Sequence, residues 1–162
     1  MYRAKTLLAL LLLLVIPAGF ALESDKDQPI ELAADSVDID ESKGRSVYRG
    51  EVDLRQGTMR VLADVVTVHQ AKRKPTKIIA EGRPVKFSQQ SDKGPVKGEA
   101  NRVEYEVDSE NLVMIGDAVL VQGGDSMRSD RIVYDRIRSV VKAGAAAKGK
   151  QRVRIKIEAP GK

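Results

Sequence analysis

Apolar and polar residues alternate one by one through much of this chain. Glu51-Val52-Asp53-Leu54-Arg55 alternates cleanly, as does Arg102-Val103-Glu104-Tyr105-Glu106-Val107-Asp108. Val85 and Phe87 flank Lys86, and Arg152-Val153-Arg154-Ile155-Lys156-Ile157-Glu158 closes the chain in the same manner. Side chains on a strand point to opposite faces in turn, so this period of two predicts half-buried strands. After residue 22 no stretch holds an apolar period of 3.6. Glycines recur at Gly44, Gly57, Gly82, Gly94, Gly98 and Gly123-Gly124. They bound short strands at turn spacing. The pattern predicts an all-β chain.

Two phrases repeat. A small residue followed by Asp or Asn opens a strand four times: Ala34-Asp35, Ala63-Asp64, Ala100-Asn101 and Ser129-Asp130. The steps are 29, 37 and 29 residues. A glycine preceded by a β-branched residue three positions earlier interleaves with it, at Gly50, Gly82, Gly116 and Gly144. "RGEVDLRQG" from Arg49 and "IGDAVLVQG" from Ile115 are thereby copies 66 residues apart. The unit is about 30 residues, and four units give a repetitive antiparallel structure. The small residues suit a crowded bend, and the Asp or Asn beside each can bond local backbone. The glycines allow a kink or bulge. Bent strands of this kind curl into two facing sheets.

Alternation also assigns an inward face. It holds Ile30, Leu32, Val37, Ile39, Val52, Leu54, Val61, Val66, Val68, Val85, Phe87, Val103, Tyr105, Val107, Leu120, Ile132 and Tyr134. Such an aliphatic face is either a packed core or, if the sheets splay, a slot for acyl chains. Each buried CH₂ would then gain about 0.8 kcal/mol. Periodicity does not separate the two.

The N-terminus changes the compartment. Arg3 and Lys5 precede an unbroken apolar run from Leu7 to Ile16, then Pro17 and small residues at Gly19 and Ala21. This is the pattern of a secretory signal cleaved after Ala21. The alternative is a retained N-terminal anchor. The run is shorter than the roughly 20 apolar residues that span a bilayer. Residues 22–158 then form one domain, with 159–162 as a basic tail. The 162-residue chain has no cysteine, so an exported domain must rely on packing and sheet hydrogen bonds. Export without cysteine points to the periplasm.

Charge is asymmetric. Residues 22–45 carry eight acids and three bases, while 128–162 carry eleven bases and three acids. The ends are either simply solvated or complementary docking surfaces.

Candidate chemistry is sparse. His69 is the single histidine, and it precedes the polar stretch Gln70-Ala71-Lys72-Arg73-Lys74-Pro75. No metal-site spacing accompanies it. No Ser or Thr has an evident partner base, and most carboxylates alternate with apolar residues and face outward. A paired-carboxylate hydrolase stays open on sequence alone. Neither a phosphate loop nor an aromatic-interleaved basic patch is present, which argues against nucleotides and nucleic acid. No catalytic residue, metal or cofactor is expected.

The phrases together resemble the OstA-like family. The resemblance is carried by Asp27-Gln28-Pro29-Ile30-Glu31-Leu32, the four small-Asx phrases, Gly50-x-Val52-x-Leu54-x-Gln56-Gly57, and Gly82-Arg83-Pro84-Val85-Lys86-Phe87. It spans Leu22 to about Ile157. It implies a curved antiparallel β-jelly-roll, open at both ends, with a lipophilic groove. It implies a carrier that passes lipopolysaccharide, held by its lipid A acyl chains, from an inner-membrane extraction complex to an outer-membrane translocon. Similar jelly-rolls, including further copies of the chain, would join head to tail, and the driving ATPase lies elsewhere. Groove positions in the family fall on Ile30, Phe87, Tyr105 and Val107 here. The inward face extends that groove to Leu32, Val37, Ile39, Val52, Leu54, Val66, Leu120 and Tyr134. The protomer-contact strands are expected at Ile30 and Leu32 and at Val153, Ile155 and Ile157. Gly144 to Lys150 is expected as a flexible loop, which leaves the last strand either within the roll or at an exposed edge. The open alternatives are a membrane-anchored subunit of the same transport system and an exported structural or carbohydrate-active β-domain with a dry core.

Overall fold

A computed structural model describes residues 25–159. The expected signal segment and residues 160–162 of the tail lie outside them. The alternating sequence forms ten antiparallel strands in one sheet. They are β1 (Ile30–Ala33), β2 (Ser36–Asp40), β3 (Arg45–Gln56), β4 (Met59–Ala71), β5 (Lys74–Ser91), β6 (Gly94–Glu106), β7 (Asn111–Gln122), β8 (Asp125–Asp135), β9 (Val140–Ala143) and β10 (Arg154–Lys156). Among the described residues, the helical elements are two single 3₁₀ turns, Asp25–Asp27 and Gly144–Ala147.

The six long strands do not run straight. The ladders lose register between Arg49 and Val52, Leu62 and Val65, Glu81 and Val85, Glu99 and Arg102, and Ile115 and Ala118. These shifts lie side by side and form a crease. Bulges bend strands, and a row of them folds the sheet over on itself. One leaf carries β2, β9 and the half of each long strand on one side of the crease. The other carries β1, β10 and the remaining halves. β1 and β2 both pair β3, on opposite sides of the crease, and β10 and β9 pair β8 likewise.

Both repeated phrases map onto this crease. Gly50 and Gly116 have φ of +83° and +79°, and Glu51 and Asp117 after them are also left-handed, at 42° and 48°. Each Gly-acid pair is a bulge that residues with a Cβ adopt poorly. Each small-Asx phrase sits beside its glycine. The Asp35 amide donates to the Gly50 carbonyl at 3.1 Å, and a Cβ on Gly116 would meet Asn101 Nδ2 at 2.8 Å. Ala63, Ala100 and Ser129 are buried as a crowded bend requires, whereas Ala34 is exposed at the sheet edge. The copied nonapeptides are therefore one device used twice: a bulge, half a strand, and a hairpin glycine with φ of 57° at Gly57 and 58° at Gly123.

The expectation for Gly144 to Lys150 is overturned. The segment is not a loose loop. Gly144 and Ala147 are buried in a 3₁₀ turn, and the Gly144 amide donates to Ser129 Oγ at 3.2 Å. Asp130 then accepts from the Lys150 and Gln151 amides at 2.6 and 3.2 Å. This fourth small-Asx phrase uses its carboxylate to pin the chain as it crosses the crease. The last strand is shorter than its alternation predicts. Only Arg154–Lys156 pairs with β8, leaving Val153 and Ile157 outside the ladder.

The two leaves enclose a single apolar core. One row across the second leaf reads Leu32, Leu54, Val61, Phe87, Gly98, Leu120, Met127 and Ile155. A row across the first reads Val37, Tyr48, Val66, Ala80, Val103, Met114, Ile132 and Ala143. Met114 reaches across to the second leaf, where a Cβ on Gly98 would overlap its methyl. The glycine in a strand interior here makes room for a side chain from the facing leaf.

Candidate functional site

The interior face holds the groove residues that alternation selects, in three environments. Val52, Leu54, Val66, Phe87, Tyr105, Leu120 and Tyr134 are buried. Ile30, Leu32 and Val107 are partly buried against the same core. Val37 and Ile39 are exposed, at 51% and 60%. Their expected place inside the roll needs correction. The register puts them on the interior face, opposite Tyr48 and Ser46, but β2 is an edge strand and among the described residues nothing covers its apolar side.

The other edge mirrors this one. Ile155 lies opposite Met127 on the interior face and is 59% exposed. Val153 and Ile157, flanking the short strand, are exposed as well. The roll is thus dry in the middle and apolar but open at both ends. Along each edge strand the exposed apolar side chains lie beside backbone groups left open to pairing.

The outer faces of the two edges differ in sign. Glu31 on β1 and Asp38 on β2 face outward and are exposed. Lys142 on β9 and Arg154 and Lys156 on β10 are the exposed outward groups at the far edge. Beside them Arg128, Lys150, Arg152 and Arg154 rim a hollow of about 540 Å³. The acidic front and basic tail of the sequence are therefore two opposite sheet edges.

The outer face between the edges is an ion-pair lattice. Lys77 Nζ lies 2.8 Å from Glu104 and 3.1 Å from Glu106, and Arg102 bonds Glu104 at 2.8 Å and Glu81 at 2.6 Å. The Lys77 ammonium and the Arg102 guanidinium hold the Glu104 carboxyl below its ordinary value. Asp53 sits between Arg60 and Arg55, at 2.9 and 2.8 Å, which hold it well below the usual carboxylate range. Lys77 with Glu104 and Glu106, Arg102 with Glu81, and Arg60 with Asp53 pair across strands, Arg55 with Asp53 and Arg102 with Glu104 pair along one, and together they stabilise a solvated face. His69 is also outward, opposite Arg45 and Lys77. Among the described residues no three His, Cys, Asp or Glu side chains converge as a metal site.

Sequence reasoning missed one feature. Arg136, just past β8, has a side chain only 1% exposed. It bonds Asp25 at 2.8 Å, the Tyr105 hydroxyl at 2.8 Å and Gln89 at 2.6 Å, and lies 3.5 Å from Glu110. Its guanidinium sits 5.2 Å from the Tyr105 ring centroid. Burial pushes the Tyr105 phenol up, against the smaller effect of Arg136. A signal existed: Arg136 follows inward Tyr134 by two residues, so alternation alone would turn it inward.

Comparison with known proteins agrees with this geometry. Residues 31–140 match a family described as LptA/(LptD N-terminal domain) LPS transport protein. The lipopolysaccharide export system protein LptH of Pseudomonas aeruginosa is 35% identical over 131 residues, 79% of this chain and 75% of that protein. LptA of Haemophilus influenzae is 33% identical over 92% of this chain and 88% of its own length. LptA of Escherichia coli K12 is 34% identical over 74% of this chain and 65% of its own length. The crystal structure of LptH, the periplasmic component homologous to LptA in P. aeruginosa, superposes with a TM-score of 0.77 at 30% identity, covering 85% of this chain and all of that one. The creased sheet is the β-jelly-roll of that structure. Alternation, crease, open edges and sequence likeness converge: the chain belongs to the LptA/LptD N-terminal-domain family of lipopolysaccharide transport proteins.

Proposed function

We propose that this chain is a periplasmic carrier that holds lipopolysaccharide by its lipid A acyl chains along the interior face and passes it on through edge-to-edge assembly. Its partners are further copies of itself and the OstA-like jelly-rolls of the inner-membrane extraction complex and the outer-membrane translocon. One observation carries the reading: the interior apolar face continues, uncovered, onto both edges of the sheet, at Val37 and Ile39 and at Ile155. A domain with a self-contained core has no use for such continuity. β9 and β10 of one copy meeting β2 and β1 of the next would extend both leaves, and the apolar face with them, by β-augmentation. No deep polar anchor is needed, because a carrier must release what it holds.

The dry centre favours a second reading, a structural β-domain whose interior never takes lipid. Photo-cross-linking in cells separates the two. A photoreactive residue at Phe87 or Ile39 is expected to give lipopolysaccharide adducts, and one at outward Glu104 to give none. Adducts confined to Glu104, or absent from both interior positions, would leave the structural reading standing alone.

A further inference from the structure

The crease joins the two leaves along one side only. On the opposite side the strands end in hairpins, and among the described residues no strand runs from leaf to leaf there. Part of what closes that side is polar. Arg136 extends from the end of β8 in the first leaf. Its Nε donates to Gln89 Oε1, at 2.6 Å, on the second-leaf half of β5. Its Nη2 donates to Asp25, and Asp25 accepts from the amide and hydroxyl of Thr58, at 2.6 and 2.8 Å, in the β3–β4 turn of the second leaf. Its remaining contacts, Tyr105 and Glu110, belong to the first leaf.

We infer that Arg136 and Asp25 form a releasable clasp across the open side of the roll, and that the interior admits acyl chains when this clasp lets go. The inference rests on the proposed function for its ligand, but the clasp itself is a mechanical claim about the two leaves. Three observations support it. The centre has no room for a ligand in the closed state, since Leu54, Phe87 and Tyr134 are at most 2% exposed. Acyl chains reach those positions only if the leaves part. The crease is a row of bulges and left-handed glycines, the kind of backbone that absorbs a change of angle. The free side is tied by these charges and hydrogen bonds as well as by the buried strand-end residues Met59, Val96 and Leu112, so its closure is in part polar. When these polar ties part, water replaces each lost bond, so releasing them costs less than parting the same area of apolar core. Asp25 also lies five residues before Ile30 on the edge strand β1, so the segment that carries the clasp carboxylate leads directly into a docking edge.

The chain has no cysteine, which allows clean labelling. Spin labels at Arg73→Cys and Lys93→Cys, in turns at opposite ends of β5, report the angle between the leaves by pulsed electron resonance. The parent protein is expected to give one narrow distance. Asp25→Ala and Arg136→Met are each expected to add a longer population, and to raise the lipopolysaccharide adduct yield from a photoreactive Phe87 position severalfold. Asp25 lies outside every strand, so its variant keeps all ladder pairs even if Arg136→Met fails to fold. Unchanged distances in Asp25→Ala overturn the clasp, whatever the lipid yield. Altered distances with no adduct at any interior position uphold the clasp and overturn the proposed lipid carriage instead.

Discussion

Asp35 sits directly against Gly50. Its backbone amide donates to the Gly50 carbonyl at 3.1 Å, and a Cβ on Gly50 would overlap its carboxylate. The pair belongs to two different sequence phrases, 15 positions apart, and it recurs as Asn101 against Gly116. The fold line of the roll is built from these couples.

Replacing Gly50 by Ala should therefore cost more than a turn glycine. The φ of +83° is strained for any Cβ, which is worth about 1–3 kcal/mol. Overlap with Asp35 adds to that. Gly94 provides the comparison: its φ is +97°, but nothing lies within 4 Å of a Cβ there. Urea midpoints of Gly50→Ala, Gly116→Ala and Gly94→Ala are expected to fall in all three, and least in Gly94→Ala. Equal losses would mean that the close contact at the crease contributes nothing.

The crease was legible because its chemistry repeats. Four Ala/Ser-Asx phrases and their glycines stand at regular spacing, and each needs a small or left-handed residue for a local reason. The interior face was legible because alternation survives the bend. Exposure was not. Val37 and Val66 belong to one row and share one pattern, yet the first is 51% exposed and the second fully buried. What separates them is position in the sheet, edge against centre, and that depends on long-range pairing order. The 144–150 segment misled for a related reason. Its composition is that of a linker, and its order comes from Ser129 and Asp130 some fifteen to twenty residues away. The Arg136 cluster was hidden because Asp25, Gln89 and Tyr105 meet only after the sheet has folded over.

Edge and centre should respond differently to truncation. Leu54→Ala empties a site that is 1% exposed, and large-to-small changes in such sites cost about 2–5 kcal/mol. Ile39→Ala removes a side chain that is already 60% exposed, and its effect on the urea midpoint should be under about 0.5 kcal/mol. Ile39→Ala should instead weaken self-association, read by sedimentation velocity. A loss of stability at Ile39 comparable to that at Leu54 would place Ile39 in a covered core.

Acid should destabilise the outer face. Asp53 and Glu104 have folded-state pKa values below their ordinary 3.8 and 4.5 because paired cations favour the charged form. The unfolded chain then binds more protons between those values, so this contribution is fully present above about pH 5 and fades as pH falls through the folded-state values. The urea midpoint should decline from about pH 4.5 downward, with Asp53→Asn starting lower at pH 7 and declining less steeply. A parallel decline in parent and variant would show that Asp53 does not carry the acid response.

Charge should decide which edges meet. Glu31 and Asp38 face outward on one edge, Lys142 and Arg154 on the other. In a head-to-tail join that continues both leaves, β2 follows β9 and β1 follows β10. Acid then meets base on each outer face. A head-to-head join would set Glu31 and Asp38 against their own copies. Exposed pairs contribute only about 0.2–1 kcal/mol each, so they steer and select more than they bind. Two consequences separate this from purely apolar docking. Raising the salt from 50 to 500 mM shortens the screening length to a few ångströms, about the span of a contact pair, and should weaken self-association. Reversing one edge, with Lys142→Glu and Arg154→Glu, should weaken it further at low salt. Adding a chain that bears Glu31→Lys and Asp38→Lys should then restore mixed complexes, because the altered edges match again. Association that is indifferent to salt, or a doubly reversed pair that fails to associate while each chain stays folded, would leave the apolar strips at Ile39 and Ile155 as the sole determinants of joining.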